Sequence, residues 1–333
     1  MSQSPIAGVN QIIKRFLLMF TPAALVIMGG ASALIQSEVM LHRALTRSSE
    51  VAALEVGVKS TEAIVHALIT DLTLLAAGDE LHKMLSGDAN KRTSIPPADW
   101  LAFSRIKKIY DQIRWLDTEG QERARVNYND GTPSIVSKEK LQNKSNRYYF
   151  ADTFKLDRGQ YFMSPLDLNV ERGEVEFPLK PMIRIGTPLF DSNGEKQGII
   201  LLNYLGEGML ANFERMSDTS NSQAWLLNSD GYWLKGPSPE LEWGFMLEKP
   251  MASVTDHHPS AWNRVVSAER GQFEDDHGLW TFQTIYPLKH SSSVKPEVPG
   301  ETALSSYNNM ATTDYYWKAV RVQSREQHYS SSW

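Results

Sequence analysis

An uncharged apolar segment near the N-terminus constrains this chain more than any other feature. It runs FLLMFTPAALVIMGGASALI from Phe16 to Ile35, and no charged residue occurs from Phe16 to Gln36. A helix of about 20 apolar residues spans about 30 Å, the thickness of bilayer hydrocarbon. Lys14 and Arg15 precede the segment, which predicts a cytoplasmic N-terminus. Residues 1–15 are therefore predicted to be cytoplasmic and residues 16–36 to form a transmembrane anchor.

The same segment has a second interpretation as a cleaved signal peptide. Ala31, Ser32 and Ala33 resemble an A-x-A cleavage site after an apolar stretch. The retained anchor is favoured, because apolar residues resume at Leu34 and Ile35 and lead into the next segment without a break. Both interpretations place the bulk of the chain outside the cytoplasm.

A long helix is predicted to follow the anchor. Residues 37–86 contain no proline and only two glycines, which indicates one long helix or two nearly collinear helices. Apolar residues recur in this segment at spacings of four and three, with one polar member. The stripe consists of Leu54, Val58, Thr61, Val65, Leu68, Leu72 and Leu75. It could pack on the protein's own sheet or form a parallel dimer contact, and both can coexist on so long a helix.

An internal repeat predicts two copies of one fold. LDTEG at 116–120 returns as LNSDG at 227–231, and RGQY at 158–161 returns as RGQF at 270–273. Pairs of β-rich segments flank glycine-containing turns in both copies, which predicts antiparallel hairpins. The predicted hairpin strands are IYDQIRWLD with QERARVNY, PMIRIGTPLF with KQGIILLNY, and QAWLLN with YWLKG. The last strands predicted in the second copy lie in QFEDDHGLWTFQTIYPL and YYWKAVRVQS.

The predicted division of the chain follows from the repeat. The signalling helix and a loop occupy residues 37–100, the first copy residues 101–206 and the second copy residues 207–325. The polar segment 290–314 predicts a long mobile hairpin tip. Residues 326–333 are interpreted as the start of a segment that leads towards a second transmembrane helix, so the chain is expected to be part of a larger protein.

Composition excludes several classes of function. The net charge of −5 gives no basic excess for nucleic acid, and the absence of cysteine excludes disulfides and thiolate metal sites. No nucleotide-binding or hydrolase motif occurs, so neither catalysis nor a cofactor is predicted. Asp256, His257 and His258 suggest a metal only weakly, because adjacent histidines converge poorly on one ion. No metal site is therefore predicted.

Four segments carry a family resemblance: WLDTEGQERARVN, NKSNRYYFADT, GQYFMSPLDLN and PMIRIGTPLFDSNGEKQGIILLNY. With the anchor, the long helix and the repeat, they resemble the double Cache family of extracytoplasmic sensors across residues 37–325. The resemblance implies an α+β fold in which a long N-terminal helix, transmembrane and then periplasmic, carries two tandem PAS-like domains with antiparallel sheets. It also implies a bacterial inner-membrane receptor whose output domain is a histidine kinase or a diguanylate cyclase.

The resemblance implies a ligand site in the first, membrane-distal copy. In amino-acid-binding members an arginine and neighbouring aromatics hold a carboxylate, and an acidic residue holds the amine. The matching residues here are Arg147, Tyr148, Tyr149 and Asp167. Arg147 directly precedes Tyr148, which departs from the family's spacing and argues against an ordinary α-amino acid. A surface ion pair for the arginine and core packing for the tyrosines are the alternatives.

Arg184 is a further candidate, because in the strand MIRIGT it alternates with Met182 and Gly186 on one face. Such a residue faces either water or a pocket, and the resemblance favours the pocket. The loop from Asp167 to Glu176 adds Asn169 as a candidate. Its acids could also serve a glycosidase or a calcium ion, but a solvated lid is the commoner role for such a loop.

The sequence thus predicts a periplasmic sensor that binds an anionic or zwitterionic metabolite and transmits a conformational change across the membrane, as a homodimer. The first alternative is a non-sensing module for protein interaction or dimerisation. The second is an exported hydrolase that uses the acidic loop. No nucleic acid partner is expected.

Overall fold

The computed structural model describes residues 5–86, 98–129, 131–171, 173–215, 222–288 and 315–325. They form one very long helix, two large antiparallel sheets, a small two-stranded sheet and short helices that cover the large sheets. The helices are α1 (Pro5–Ala76), α2 (Asp79–Ser86), α3 (Ala98–Lys107), α4 (Tyr148–Phe154), α5 (Glu207–Arg215), α6 (Val254–His257) and α7 (Pro259–Val266). The α+β prediction with a long N-terminal helix is confirmed.

The first sheet, in the order β3-β2-β1-β9-β8-β4, has β5 paired to β8. Its strands are β1 (Tyr110–Leu116), β2 (Glu122–Asn129), β3 (Thr132–Ile135), β4 (Phe162–Met163), β5 (Asp167–Leu168), β8 (Pro181–Phe190) and β9 (Lys196–Leu205). A separate hairpin of β6 (Val170–Glu171) and β7 (Glu174–Val175) lies within the predicted acidic loop. The expectation of a loop there is therefore wrong in part.

The second sheet has the order β11-β10-β14-β13-β12. Its strands are β10 (Ser222–Leu227), β11 (Trp233–Lys235), β12 (Arg270–Asp275), β13 (Gly278–Ile285) and β14 (Trp317–Ser324). This order matches β2-β1-β9-β8-β4 of the first sheet strand for strand. The chain therefore contains two sheets of the same topology, as the repeat predicted.

The repeated turns have the same geometry. In the first sheet the Asp117 side chain accepts hydrogen bonds from the N–H groups of Glu119 and Gln121, both at 2.9 Å. In the second sheet the Asn228 side chain accepts from Asp230 and Tyr232 at 3.1 and 2.9 Å. Each turn ends on a glycine in the left-handed region, with φ of 73° and 85°. LDTEG and LNSDG are thus equivalent.

The RGQ match does not relate equivalent residues. Gly159 lies in a turn at φ 79°, before β4 begins, whereas Gly271 lies inside β12. Across the sheets, Phe162 pairs with Gly186 and Gly271 pairs with Phe282. Register therefore makes Phe162, rather than Gly159, the counterpart of Gly271. The two RGQ sequences therefore occupy neighbouring but different positions in the two copies of the fold.

The apolar stripe of α1 packs inside the protein. All seven of its residues, from Leu54 to Leu75, are buried, and the six apolar members belong to the main hydrophobic core. That core also contains Ile113, Ile183 and Ile200 from one face of the first sheet and Trp317 from the second. The interpretation as packing on the protein's own sheet is confirmed, and a dimer contact through this stripe is excluded, because its side chains are already covered.

The two sheets contact α1 at different heights. The second sheet contacts it at Arg47 and Glu50, and the first contacts it at Asp71. At about 1.5 Å per residue, the first sheet lies roughly 30 Å further along the helix from residues 16–36. Among the described residues, one helix, Ile13–Ala76, is long and apolar enough to cross a membrane. The predictions for residues 87–97, 290–314 and 326–333 lie outside the described residues.

Candidate ligand-binding site

The candidate site lies on the face of the first sheet that α4 covers. A buried apolar cluster lies on this face, with Tyr149 and Phe150 from α4 packed on Leu116, Ile199 and Leu201 from the sheet. Gly186 of β8 permits this close packing, since a Cβ atom there would lie 2.8 Å from Leu201 Cδ1 and 3.0 Å from Thr153 Cγ2. Polar side chains occupy the adjacent positions of the same face, where a purely structural sheet would place apolar ones.

Register brings three of these polar side chains together. Arg114 of β1 is opposite Leu201 of β9, and Arg184 of β8 is opposite Asn203, two residues further along β9. Side chains two residues apart on a strand point to the same face, so Arg114, Arg184 and Asn203 share it. Arg114 donates to Asn203 Oδ1 at 2.6 Å. The three side chains therefore form one polar group that bridges strands β1, β9 and β8.

Arg184 is held by the segment before β6. Its guanidinium donates to Asp167 Oδ1 at 2.9 Å and to Asn169 Oδ1 at 3.3 Å. Its own N–H donates to Ser164 Oγ at 2.9 Å, and its carbonyl accepts from the Ser164 N–H at 2.8 Å. Asn169 in turn donates to Glu176 at 2.7 Å. Arg184, 9% exposed, therefore faces a network of polar side chains rather than water.

Arg114 is more deeply buried, at 3% exposed, and is less completely paired. Its Nη1 lies 3.7 Å from Glu122 Oε1, while Glu122 Oε2 lies 2.9 Å from Arg125 Nη1. Glu122 also accepts the Gln142 N–H at 3.0 Å. Arg114 Nε has no hydrogen-bond partner. Arg114, Arg125 and Glu122 together carry two positive charges and one negative charge, so this group has a net positive charge in a buried place.

Tyr149 lies between the two buried arginines. The Cζ atoms of Arg114 and Arg184 are 5.3 and 5.7 Å from its ring centre. Arg114 Nη1 donates to its hydroxyl at 3.4 Å. Burial raises the pKa of Tyr149, but the charges of Arg114, Lys144 and Arg147 and the bond from Arg114 outweigh burial, so the pKa is lowered overall. The phenol thus reports a positive potential at this site.

The pKa of Asp167 is shifted in the opposite direction, upwards. Burial raises the pKa of its carboxyl, and the nearby Arg184 compensates only in part. Burial lowers the pKa of Arg184, but the charge of Asp167 together with Tyr148 and Tyr149 outweighs burial, so that this pKa is raised overall. The carboxylate and the guanidinium thus each favour the charged form of the other, and the lowered pKa of Tyr149 shows that negative charge is favoured beside Arg114.

The predicted residues fall into two groups. Tyr149, Asp167, Asn169 and Arg184 are brought together by the contacts above. Tyr148 is 47% exposed; it contacts the rings of Tyr149 and Phe162 at their edges. Burial raises its pKa, and the charge of Asp167 adds to this effect. The contacts place Tyr148 at the rim.

Arg147 is exposed at the N-terminus of α4, where its carbonyl accepts the first helical hydrogen bonds, from Phe150 and Ala151. It affects the Tyr149 pKa through charge alone. A ligand role for Arg147 stays a prediction.

Three residues of the site, Arg114, Asn203 and Glu122, were not predicted from the sequence. The signal was present for the first two, because Arg114 interrupts the strand YDQIRWL and Asn203 interrupts KQGIILLNYL. Both could have been selected by the alternation along the strand that pointed to Arg184. Glu122 follows a turn, and only the register of β1 with β2 brings it to Arg114.

The two histidines considered as weak metal candidates, His257 and His258, make other contacts in the structure. His257 Nε2 lies 2.8 Å from the Met251 carbonyl, and His258 stacks on Trp225 with ring centres 5.7 Å apart. Within the described ranges, no group of three or more possible ligands could hold a metal ion. The two histidines therefore belong to the aromatic packing of the second sheet.

Comparisons with known proteins agree with this architecture. The family model described as bacterial histidine kinase, sensor domain, matches residues 54–295. No curated protein matches the sequence.

Three solved structures are similar in fold. A domain of a sensory box/GGDEF family protein from Vibrio parahaemolyticus has a TM-score of 0.67 at 22% identity, with 87% of this chain and 99% of that chain covered. The extracellular domain described as that of histidine kinase vpHK1S-Z8 has a TM-score of 0.68 at 21% identity, with 89% and 96% covered. The periplasmic sensory domain of the Campylobacter jejuni chemoreceptor Tlp1 has a TM-score of 0.54 at 11% identity, with 85% and 98% covered. Identities this low show the fold alone.

Proposed function

The chain belongs to the bacterial histidine kinase sensor domain family, and on that premise we propose that it senses a small anionic or zwitterionic metabolite on the first sheet. The ligand would lie between α4 and strands β1, β9 and β8. One observation carries this proposal: two arginines, each more than nine-tenths buried, converge on the ring of Tyr149.

Charge supports an anionic group on the ligand. A buried guanidinium is costly unless it is paired and hydrogen-bonded. Arg184 has Asp167, but Arg114 shares Glu122 with Arg125 and has an unpartnered Nε. A carboxylate would complete the pairing of Arg114, since guanidinium groups hold carboxylates through two parallel bonds. Asp167 and Asn169 could then receive an amine or hydroxyl of the same ligand.

The membrane arrangement is part of the proposal. Residues 16–36 would anchor the chain in the inner membrane, with both sheets in the periplasm. A ligand that binds one conformation of the site better shifts the equilibrium towards that conformation, which α1 and the chain after β14 would convey across the membrane. A homodimer would have to use a surface other than the buried stripe from Leu54 to Leu75.

Calorimetric titration of the full chain in detergent against a panel of small carboxylates, amino acids and amines tests the site. We expect binding that is lost in Arg114→Met and in Arg184→Met, because either change removes a positive charge from the buried face. Arg158→Met is the matched control, since Arg158 is exposed and lies on the ring of Phe190, away from the site. Arg147→Ala decides whether the exposed arginine takes part.

Three outcomes would contradict the proposal. If every hit binds Arg114→Met/Arg184→Met as tightly as the parent chain, the ligand site lies elsewhere. If no compound in the panel binds while a protein is retained on the same chain, the alternative of an interaction module is favoured. Turnover that depends on Asp167 or Glu171 would instead indicate the hydrolase.

A further inference from the structure

We propose that Tyr315, a residue of the second sheet's half of the chain, is a positioning residue for the candidate site on the first sheet. It would couple the Arg184–Asp167 pair to strand β14. This inference rests on the proposed function for its biological meaning, but its structural content can be tested without any ligand.

The segment 166–169 has two different faces. Asp167 and Asn169 point to Arg184, at 2.9 and 3.3 Å. Leu166 and Leu168 alternate with them and are buried in the main hydrophobic core. In an extended chain successive side chains point to opposite sides, so one short segment serves the polar site and the core at the same time. A displacement of Asp167 therefore also displaces Leu166 and Leu168.

The other half of the chain binds the backbone of this segment directly. The Leu166 N–H donates to the Tyr315 hydroxyl at 2.8 Å. The Leu168 N–H points to the sulfur of Met246 at 2.9 Å. β5 pairs on its other side with β8, where Asp167 is opposite Met182. The segment is thus held between the strand of Arg184 and two residues that belong to the second half.

Tyr315 passes this contact to β14. Its hydroxyl also accepts a hydrogen bond from the Trp317 indole N–H at 2.6 Å, and the two rings meet edge to face with centres 5.7 Å apart. Trp317 is the first residue of β14 and is fully buried. One oxygen therefore accepts from the site segment and from the central strand of the second sheet. Removal of this oxygen leaves both donors without that partner.

Strand β14 is in turn fixed to the signalling helix. Arg321 donates through Nε to Glu50 Oε2 at 2.9 Å and through Nη2 to Oε1 at 3.4 Å. Both side chains are almost completely buried, at 1% and 2% exposed. A buried ion pair of this kind tolerates little relative movement, because either charge alone would be costly in the core. The contacts thus form a continuous series from Asp167 through Tyr315 and β14 to α1.

Nuclear magnetic resonance of the full chain in detergent micelles, with 15N-labelled tryptophan, tests this coupling. The nine tryptophans give nine indole resonances, and Trp317→Phe identifies that of Trp317. We expect Asp167→Asn to shift the Trp317 indole resonance by more than its line width. In Tyr315→Phe the same Asp167→Asn change should leave that resonance where Tyr315→Phe alone puts it. If Tyr315 only stabilised the fold, Asp167→Asn would still shift the Trp317 indole resonance in Tyr315→Phe.

Hydrogen exchange followed by mass spectrometry provides the reciprocal measurement. Tyr315→Phe should raise exchange at the Leu166 amide about tenfold, because that N–H loses its acceptor. Tyr316→Phe is the matched control, since the Tyr316 ring contacts Tyr286 and Lys318 within its own half, and it should leave residues 164–169 unchanged.

The proposal is overturned if Asp167→Asn leaves the Trp317 indole resonance unshifted in the otherwise unchanged chain. That result needs no Tyr315 variant, so it decides the question even if Tyr315→Phe fails to fold. It is also overturned if Asp167→Asn shifts the resonance equally with and without the Tyr315 hydroxyl. Because no ligand is used, these failures are distinct from a failure of the proposed function.

Discussion

The two sheets have the same topology, but at matching positions the first has charged and polar side chains and the second has apolar ones. Register relates Arg114, Arg184 and Asn203 of the first sheet to other residues in the second. Their counterparts are Trp225, Trp280 and Val322, respectively. The first sheet therefore presents two cations and an amide to its covering helix, and the second presents two indoles and a valine.

Packing differs accordingly. Around Trp225 the second sheet has edge contacts to Trp233 and Trp280 and a stacked contact to His258. These rings belong to a continuous buried cluster that α7 joins through Trp262. The same strand order thus supports a filled aromatic core in one copy and a charged, incompletely paired face in the other. We infer that a ligand would bind the first copy, because its buried charges are incompletely paired.

The exchange of one large and one small residue shows how each copy keeps its packing. Gly186 of β8 pairs with Phe162 of β4, whereas its counterpart Phe282 of β13 pairs with Gly271 of β12. A Cβ atom at Gly271 would lie 2.9 Å from Phe282 Cζ. Large and small residues have changed strands, so the volume between these strands is kept while the shape of the covered face changes.

The largest expected effect comes from placing the first sheet's charge in the second. Trp225→Arg should lower the free energy of unfolding by at least about 3–5 kcal/mol, because it removes three aromatic contacts and leaves a buried charge without a partner. Trp225→Phe is the control and should cost about 1–2 kcal/mol. Denaturant unfolding followed by fluorescence measures both. A loss below about 1 kcal/mol for Trp225→Arg would show that the second copy accepts charge, and the comparison would fail.

Removal of Arg184 should have a smaller, pH-dependent effect. Arg184→Met leaves Asp167 without its cation and should cost about 1–3 kcal/mol at neutral pH. The pKa of Asp167 is already raised by burial, and loss of Arg184 raises it further. The protonated carboxyl suits this site, so the loss should shrink as pH falls towards the ordinary value of 3.8 and grow again as pH rises.

Unfolding at about pH 4.5 and at about pH 7 measures this difference. Arg184→Met/Asp167→Leu should lose less stability at neutral pH than Arg184→Met, because no buried carboxylate is left behind. Equal losses for Arg184→Met at the two pH values would contradict the assigned role of Asp167.

Gly186→Ala tests the close approach of α4. The new methyl group would meet Leu201 and Thr153, so the change should cost about 1–3 kcal/mol. Gly208→Ala in α5 is the control, since its Cβ atom would have no neighbour within 4 Å, and it should be neutral or stabilise slightly. Thermal unfolding of the two variants would settle the point, and similar midpoints would mean that α4 can move away from the sheet.

The smallest expected effect on stability comes from His258, whose surroundings in the second copy favour a neutral side chain. Burial lowers the pKa of His258, and the nearby His277 and His257 lower it further, against the attraction of Asp275. Its neutral form is thus favoured in the folded state. Stability from this group is present above the ordinary pKa of 6.5 and is lost as pH falls through the lowered value.

His258→Phe, which keeps a ring on Trp225, should therefore reduce the fall of the unfolding midpoint between about pH 7 and pH 5. His82→Phe on the exposed side of α2 is the control and should leave that fall unchanged. A fall of the same size in His258→Phe and in the parent chain would show that another group causes the acid sensitivity.

Much of the fold could be predicted because its signals are local. The turns at Asp117 and Asn228 follow from short side chains that bond their own backbone and from glycines that accept positive φ. The stripe of α1 follows from helical periodicity, although its partner could not be chosen until the sheet was seen to cover it. The family predicted from the sequence is confirmed. The RGQ match failed because strand register depends on the partner strands and not on similar letters.

An apolar helix, alternating strands, their turns and the repeated strand order could all be derived from residue patterns along the chain. These depend on interactions between residues close in the chain. The packed fold was needed to show that Arg114 lies beside Glu122 and Asn203, and that Arg114 and Arg184 both lie against Tyr149. It was also needed to show that Leu166 contacts Tyr315, 149 residues later. Such contacts depend on sheet register, which sets the side chains that share a face, and on burial, which changes the free energy of a charged group.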